Sequence, residues 1–159
     1  MQQAELLDGL SPRDAEQLLA IGTKVTLPRG TVLFELGSPA DSVYIVTQSR
    51  LSLTLPMIVR GREENVLIEE RQTGQALGWS ALIPPHRFTL TAAAPFGAEV
   101  LRIPREALAA HLTERPEVGY IVMRNVAEIV GQRLQVFQAM WLREMQRVVE
   151  LSAAREESA

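Results

Sequence analysis

The chain has no cysteine and only two histidines, His86 and His111. The first absence removes disulfides, thiolate metal sites, iron–sulfur clusters and cysteine nucleophiles in one step. The second leaves too few imidazoles for a histidine-built metal centre, so no cofactor is expected. No apolar run approaches the roughly 20 residues that cross a bilayer, and MQQAELLDGL lacks the basic and then apolar regions of a signal peptide. The expectation is a cytoplasmic protein without membrane contact. An excess of basic charge is missing as well. With a formal net charge of −3 the chain has no electrostatic footprint for nucleic-acid phosphates.

What is present is an ordinary globular composition, 47% hydrophobic and 22% charged, over 159 residues. That length allows one domain with a sizeable core and one added element. SPRDAEQLLAIG reads as a short capped helix, with Ser11 as cap, Pro12 in the first turn and Gly22 past the end. From about Lys24 to Ile103 the hydrophobic period is two. The segments KVTL, TVLFE, VYIVTQ, LSLTL, NVLIEE, FTLTA and EVLRI read as strands, divided by stretches that contain or border turn formers. This pattern predicts a mainly β fold, a double-stranded β-helix (jelly-roll) barrel with a short N-terminal helix. PREALAAHL then reads as a short helix, and from Glu117 no proline or clustered glycine interrupts a long C-terminal helix up to the tail AREESA. The expected division is residues 1–115 for the N-terminal helix, barrel and short helix, and 116–159 for the long helix and its charged tail.

The long helix carries Val130, Leu134, Phe137, Trp141, Met145, Val148 and Leu151, steps of three and four that describe one apolar seam. A helix from Glu117 to about Arg155 is on the order of 55–60 Å long, more than a barrel of this size can cover. The alternatives are packing on its own barrel or a two-fold homodimer through Val130, Leu134, Phe137, Trp141, Met145 and Val148, and the excess length favours the homodimer.

The succession of a capped helix, PRGTVLFELGSPADSVYIV, GQALGWSAL, an arginine before a strand, EVLRIPREALAAHL and a long helix resembles a cyclic nucleotide-binding domain of the catabolite-activator type. It covers about residues 10 to 140. The resemblance implies a ligand cassette: a glycine and glutamate, a short helix, then an arginine followed by a small residue, with the glutamate on the ribose 2′-hydroxyl and the arginine on the cyclic phosphate. Here Gly78 matches the glycine, Ser80, Ala81 and Leu82 lie in the short helix, and Arg87 matches the phosphate-binding arginine. The chemistry suits Arg87, because a guanidinium makes paired, charge-assisted bonds to phosphate oxygens. Two positions depart from the pattern. Trp79 stands where the glutamate belongs and offers only a donor, and Phe88 replaces the small residue. The loop from Leu82 to Arg87 is also about two residues shorter than usual and contains Pro84 and Pro85.

Gly78, Trp79, Ser80, Ala81, Arg87 and Phe88 are therefore the expected ligand-binding residues, for a cyclic nucleotide or another small anion. Two functions follow from different classes. One is a sensor in which an anion drawn to Arg87 repositions the C-terminal helix. The other is a dimerisation or protein-interaction scaffold whose former pocket Trp79 and Phe88 close. Many relatives append a DNA-binding domain after the long helix, whereas the sequence here ends in LSAAREESA, so no DNA binding by this chain is expected. Catalysis finds no support. Glu63–Glu64 and Glu69–Glu70 are neighbours on strands and point to opposite faces, and no nucleophile elbow is present.

Overall fold

A computed structural model of the chain describes residues 4–158. The predicted first helix forms as α1, Pro12–Leu19, and the Ser11 hydroxyl accepts the Asp14 amide at 3.1 Å. Seven strands follow: β1 Thr23–Leu27, β2 Thr31–Phe34, β3 Ser42–Val59, β4 Arg62–Gln72, β5 Ala76–Leu77, β6 Thr91–Ala94 and β7 Ala98–Pro104. All pairings between them are antiparallel. They make a curled sheet in the order β1-β7-β3-β6-β2, with β4 and β5 also on β3, which is the jelly-roll type of architecture the strand spacing predicts. Helices α2, Arg105–Glu114, and α3, Pro116–Glu157, complete the chain. The contacts divide it inside α3 into two compact units, one ending at Asn125 and one beginning at Val126.

The segments VYIVTQ and LSLTL are one continuous strand rather than two. The reason lies at Ser49, whose φ of 66° is a left-handed conformation. Up to Ser49 the strand pairs with β7, and from Arg50 onward it pairs with β4 and then also β6. Ser49 is thus the corner at which β3 passes from one layer of the roll to the other. FTLTA also shifts, since the strand begins at Thr91 and leaves Phe88 in the preceding loop. At the far end, Arg60 and Gly61 both have positive φ, as a two-residue hairpin turn requires.

A serine held in the left-handed region costs about 1–2 kcal/mol relative to a permissive residue, and glycine in an extended chain costs about 0.5–1 kcal/mol in entropy. Ser49 is exposed, so no packing is lost on replacement. Ser49→Gly is expected to stabilise the fold by about 0.5–1 kcal/mol, read as a higher urea midpoint at unchanged slope. A lower midpoint would show that the corner does not strain the serine.

The core of the first unit lies between the layers, where Val43, Val46, Leu51, Leu77, Val100 and Ile103 are at most 1% exposed. The chain before α1 is built into it. Glu5 accepts the Ala76 amide at 2.8 Å and pairs with the buried Arg71, whose Nε donates to the Ala76 carbonyl at 2.9 Å. Asn125, also buried, donates its side-chain amide to the carbonyls of Leu6 and Asp8, both at 2.9 Å. The first turn therefore joins β5 to the start of α3. Arg115 makes a second junction, with Asp14 at 2.9 Å and Glu117 at 2.7 Å. Hydrogen bonding with Ser11 and Arg115 holds the Asp14 carboxyl below the usual carboxylate range.

Candidate functional site

Strand β5 delivers the chain to Gly78, whose φ of 80° and ψ of 26° start a single 3₁₀ turn over Trp79–Leu82. Glycine is required there on two counts. The backbone is left-handed, and a Cβ would lie 3.0 Å from the Ser42 carbonyl oxygen, 3.3 Å from the Phe88 ring and 3.3 Å from the Tyr44 ring. Within the turn Ser80 and Ala81 are buried while Trp79 is half-buried. His86, with φ 57°, closes the loop by donating Nδ1–H to the Ala81 carbonyl at 3.0 Å.

The next residues lie antiparallel to the loop between β2 and β3. Ala40 donates its amide to the His86 carbonyl at 2.8 Å, Phe88 donates to Ser38 at 3.0 Å, and Gly37 donates to Phe88 at 2.8 Å. Successive side chains of an extended segment point to opposite sides, and Phe88 takes the inner one. Its ring is 5% exposed and stacks on Phe34 with centroids 3.7 Å apart and planes 9° from parallel. Phe34 stacks in turn on Tyr44 at 5.8 Å. Arg87 is left on the outer side, exposed, and donates Nη1–H to the Gly37 carbonyl at 2.8 Å.

Of the six residues expected to bind a ligand, Gly78, Ser80, Ala81 and Phe88 are enclosed, whereas Arg87 is turned outward and Trp79 is half-exposed. The rings of Phe88 and Tyr44 both pack against Gly78. Phe34 and Tyr44, which are not among the six, complete the aromatic cluster. The alternation of β3 and the register Tyr44↔Leu77 place Tyr44 beside the glycine. A nearby cavity of about 390 Å³ has Phe34, Tyr44, Phe88, Asp41 and Arg102 among its lining residues. Phe88 is the only one of the six that lines it. Arg102 there donates to Ser42 Oγ at 2.8 Å and pairs with Asp41 at 3.1 Å. Burial, and then the Asp41 carboxylate, raise the Tyr44 hydroxyl above the usual phenol value. The His111 Nε2, at the end of α2, is enclosed and has no hydrogen-bond partner.

Among the described residues there is no group of three or more histidine, cysteine, aspartate or glutamate side chains that could hold a metal ion. Nor is any helix among them long and apolar enough to cross a membrane.

The second unit, from Val126, is helical up to Glu157. Of its predicted seam, Leu134, Trp141, Met145, Val148 and Leu151 are exposed, Leu134 by 67% and Trp141 by 61%, while Val130 and Phe137 are half-buried. Leu142 and Val149, also exposed, widen the stripe.

A family model described as "Cyclic nucleotide-binding domain" matches residues 24–115. Among solved structures, the chain is similar to the Thermus thermophilus catabolite activator protein, with a TM-score of 0.73 and 22% identity over 90% of this chain and 63% of that one. It is also similar to the N-terminal domain of a transcriptional regulator from Streptomyces coelicolor A3(2), with a TM-score of 0.67 and 28% identity over 84% of this chain and 91% of that one. A curated relative, glutaminase 1 of Bradyrhizobium diazoefficiens, is 27% identical over 139 residues, 87% of this chain. The chain spans only 21% of that protein's length, about a fifth.

Proposed function

Because the chain belongs to the cyclic nucleotide-binding domain family, a family of regulatory domains, we propose that it is a regulatory module whose own Phe88 ring occupies the ligand's place and whose output is self-association through the helix beyond Asn125. The observation that carries the reading is the packing of Phe88 against Gly78 and Phe34. In the family pattern this ring replaces a small residue beside the phosphate-binding arginine. Trp79 supports the same reading from the other side, because an indole accepts nothing from a ribose hydroxyl. Losing the acceptor for a buried hydroxyl costs about 1–3 kcal/mol. Arg87, bonded to a carbonyl at the surface, is held away from the enclosed glycine. No catalytic step is assigned to this chain, and the glutaminase name describes a protein of which it matches about a fifth.

The competing anion-sensor reading needs Arg87 to leave Gly37 and the Phe88 ring to swing out, both on ligand binding. A thermal-shift and calorimetric panel of cyclic mono- and dinucleotides separates the two. A ligand at 100 times its dissociation constant stabilises by about 2.7 kcal/mol, several degrees in a domain of this size. We expect no shift at millimolar cyclic AMP or cyclic GMP. A micromolar dissociation constant for either would overturn the closed-pocket reading and restore the sensor.

A further inference from the structure

A second cavity, of about 220 Å³, shares no residue with the aromatic cluster around Gly78. It is walled by Leu19 of α1, Ile45 of β3, Leu101 of β7 and Gly74 in the turn before β5, with Lys24 and Thr47 also on its lining. Ile45 is 3% exposed and Leu101 9%, so the body of the cavity is aliphatic. The Lys24 side chain is 73% exposed, which places its ammonium in solvent and marks the mouth. Glu99, the charge nearest to it, stands 3.7 Å away and already accepts a hydrogen bond from Thr47 at 2.7 Å. The lysine is thus loosely held and keeps free donors.

An apolar cavity of about 150 Å³ stays dry and takes up benzene, so this one has room for a substituted six-membered ring or a chain of about six carbons. Beyond Lys24 its polar side chains are Thr47 and Thr73, whose hydroxyls already donate to Glu99 and to the Ser49 carbonyl, and a charge would be tolerated only at the opening. We propose that the cavity is a binding site for a small aryl or short-chain carboxylate, its apolar body among Leu19, Ile45 and Leu101 and its carboxylate at the mouth on Lys24. An amine of the same shape would meet the lysine's repulsion. A neutral analogue would gain only the apolar contacts. Occupation would bear on Gly74, whose carbonyl accepts the Glu5 amide at 2.9 Å, and so on the junction that leads to β5 and Gly78.

The test is a titration of the full chain with phenylacetate, followed by methyl NMR of Leu19, Ile45 and Leu101, beside the isosteric neutral phenylacetamide. Saturable shifts centred on those methyls are expected, with phenylacetamide about fivefold weaker, the scale of an exposed ion pair. Lys24→Gln, a surface change without folding risk, should remove the difference between the two compounds. Leu19→Trp, which fills the cavity from α1, should abolish both. The proposal is overturned if no saturable shift is seen, if the shifts centre on Gly78 and Phe88, if phenylacetamide binds as tightly as phenylacetate, or if either variant leaves the phenylacetate affinity unchanged.

Discussion

Phe88→Ala is expected to lower the stability of the first unit by about 3–5 kcal/mol, the range for truncating a buried phenylalanine in a core that relaxes only in part. The ring is 5% exposed and stacks on Phe34, so both apolar transfer and an aromatic pair are lost. The space left lies against Gly78, which has no side chain to fill it. Urea unfolding followed by Trp79 fluorescence, with Trp141 replaced by Phe in both chains, measures the loss. The same substitution also restores one hallmark of the family cassette, a small residue after the arginine, and adding Trp79→Glu restores the acceptor. If Phe88 alone occupies the ligand's place, the double variant gains measurable affinity for cyclic AMP in calorimetry while the wild-type chain shows none. If the double variant folds and still binds nothing, the shortened loop through Pro84 and Pro85 is the stronger obstacle. A loss below about 1 kcal/mol for Phe88→Ala would show that the ring is not part of the core and would remove the ground for the proposed function.

The fold was legible in the sequence because each of its parts has a local cause. Ser11 and Pro12 specify the start of α1, period-two runs specify the strands, and the absence of breakers after Pro116 specifies α3. The corner at Ser49 was legible only through the family resemblance, since the family usually has a glycine in that turn. A serine is a poor marker of a left-handed residue, and strand propensity on both sides gives no sign that the pairing partner changes there. At the site, the glycine could be found from its position between β5 and the short turn, since only glycine tolerates φ 80° beside three packed groups. The direction of Arg87 could not be read from composition or spacing. It follows from the pairing of residues 37–40 with 86–88, a contact across about fifty residues, and from the choice of Phe88 over Arg87 for the inner side of an extended segment. A phenylalanine and an arginine compete for that side, and desolvation decides for the phenylalanine.

Replacing both Leu134 and Trp141 by glutamate is expected to convert a dimer into monomers without unfolding the first unit. The two side chains are 67% and 61% exposed, and they stand on a stripe that continues through Met145, Val148 and Leu151. Scattered apolar residues on a surface need no explanation, but a continuous stripe with steps of three and four is what a helix shows when another helix covers it. Both positions are exposed, so charge placed there displaces no buried side chain. In a two-fold pair each substitution counts twice. Four lost side chains at about 1.5 kcal/mol each amount to about 6 kcal/mol, more than four decades in dissociation constant, before any repulsion between the new carboxylates. Sedimentation equilibrium should therefore give dimers of the wild-type chain at micromolar concentration and monomers of the variant at tenfold more. The urea midpoint of the first unit should stay constant, because Glu is a good helix former and no core residue has changed. A wild-type chain that sediments as a monomer at 100-fold above the micromolar range would leave the stripe without a second copy and would sink self-association as the module's output.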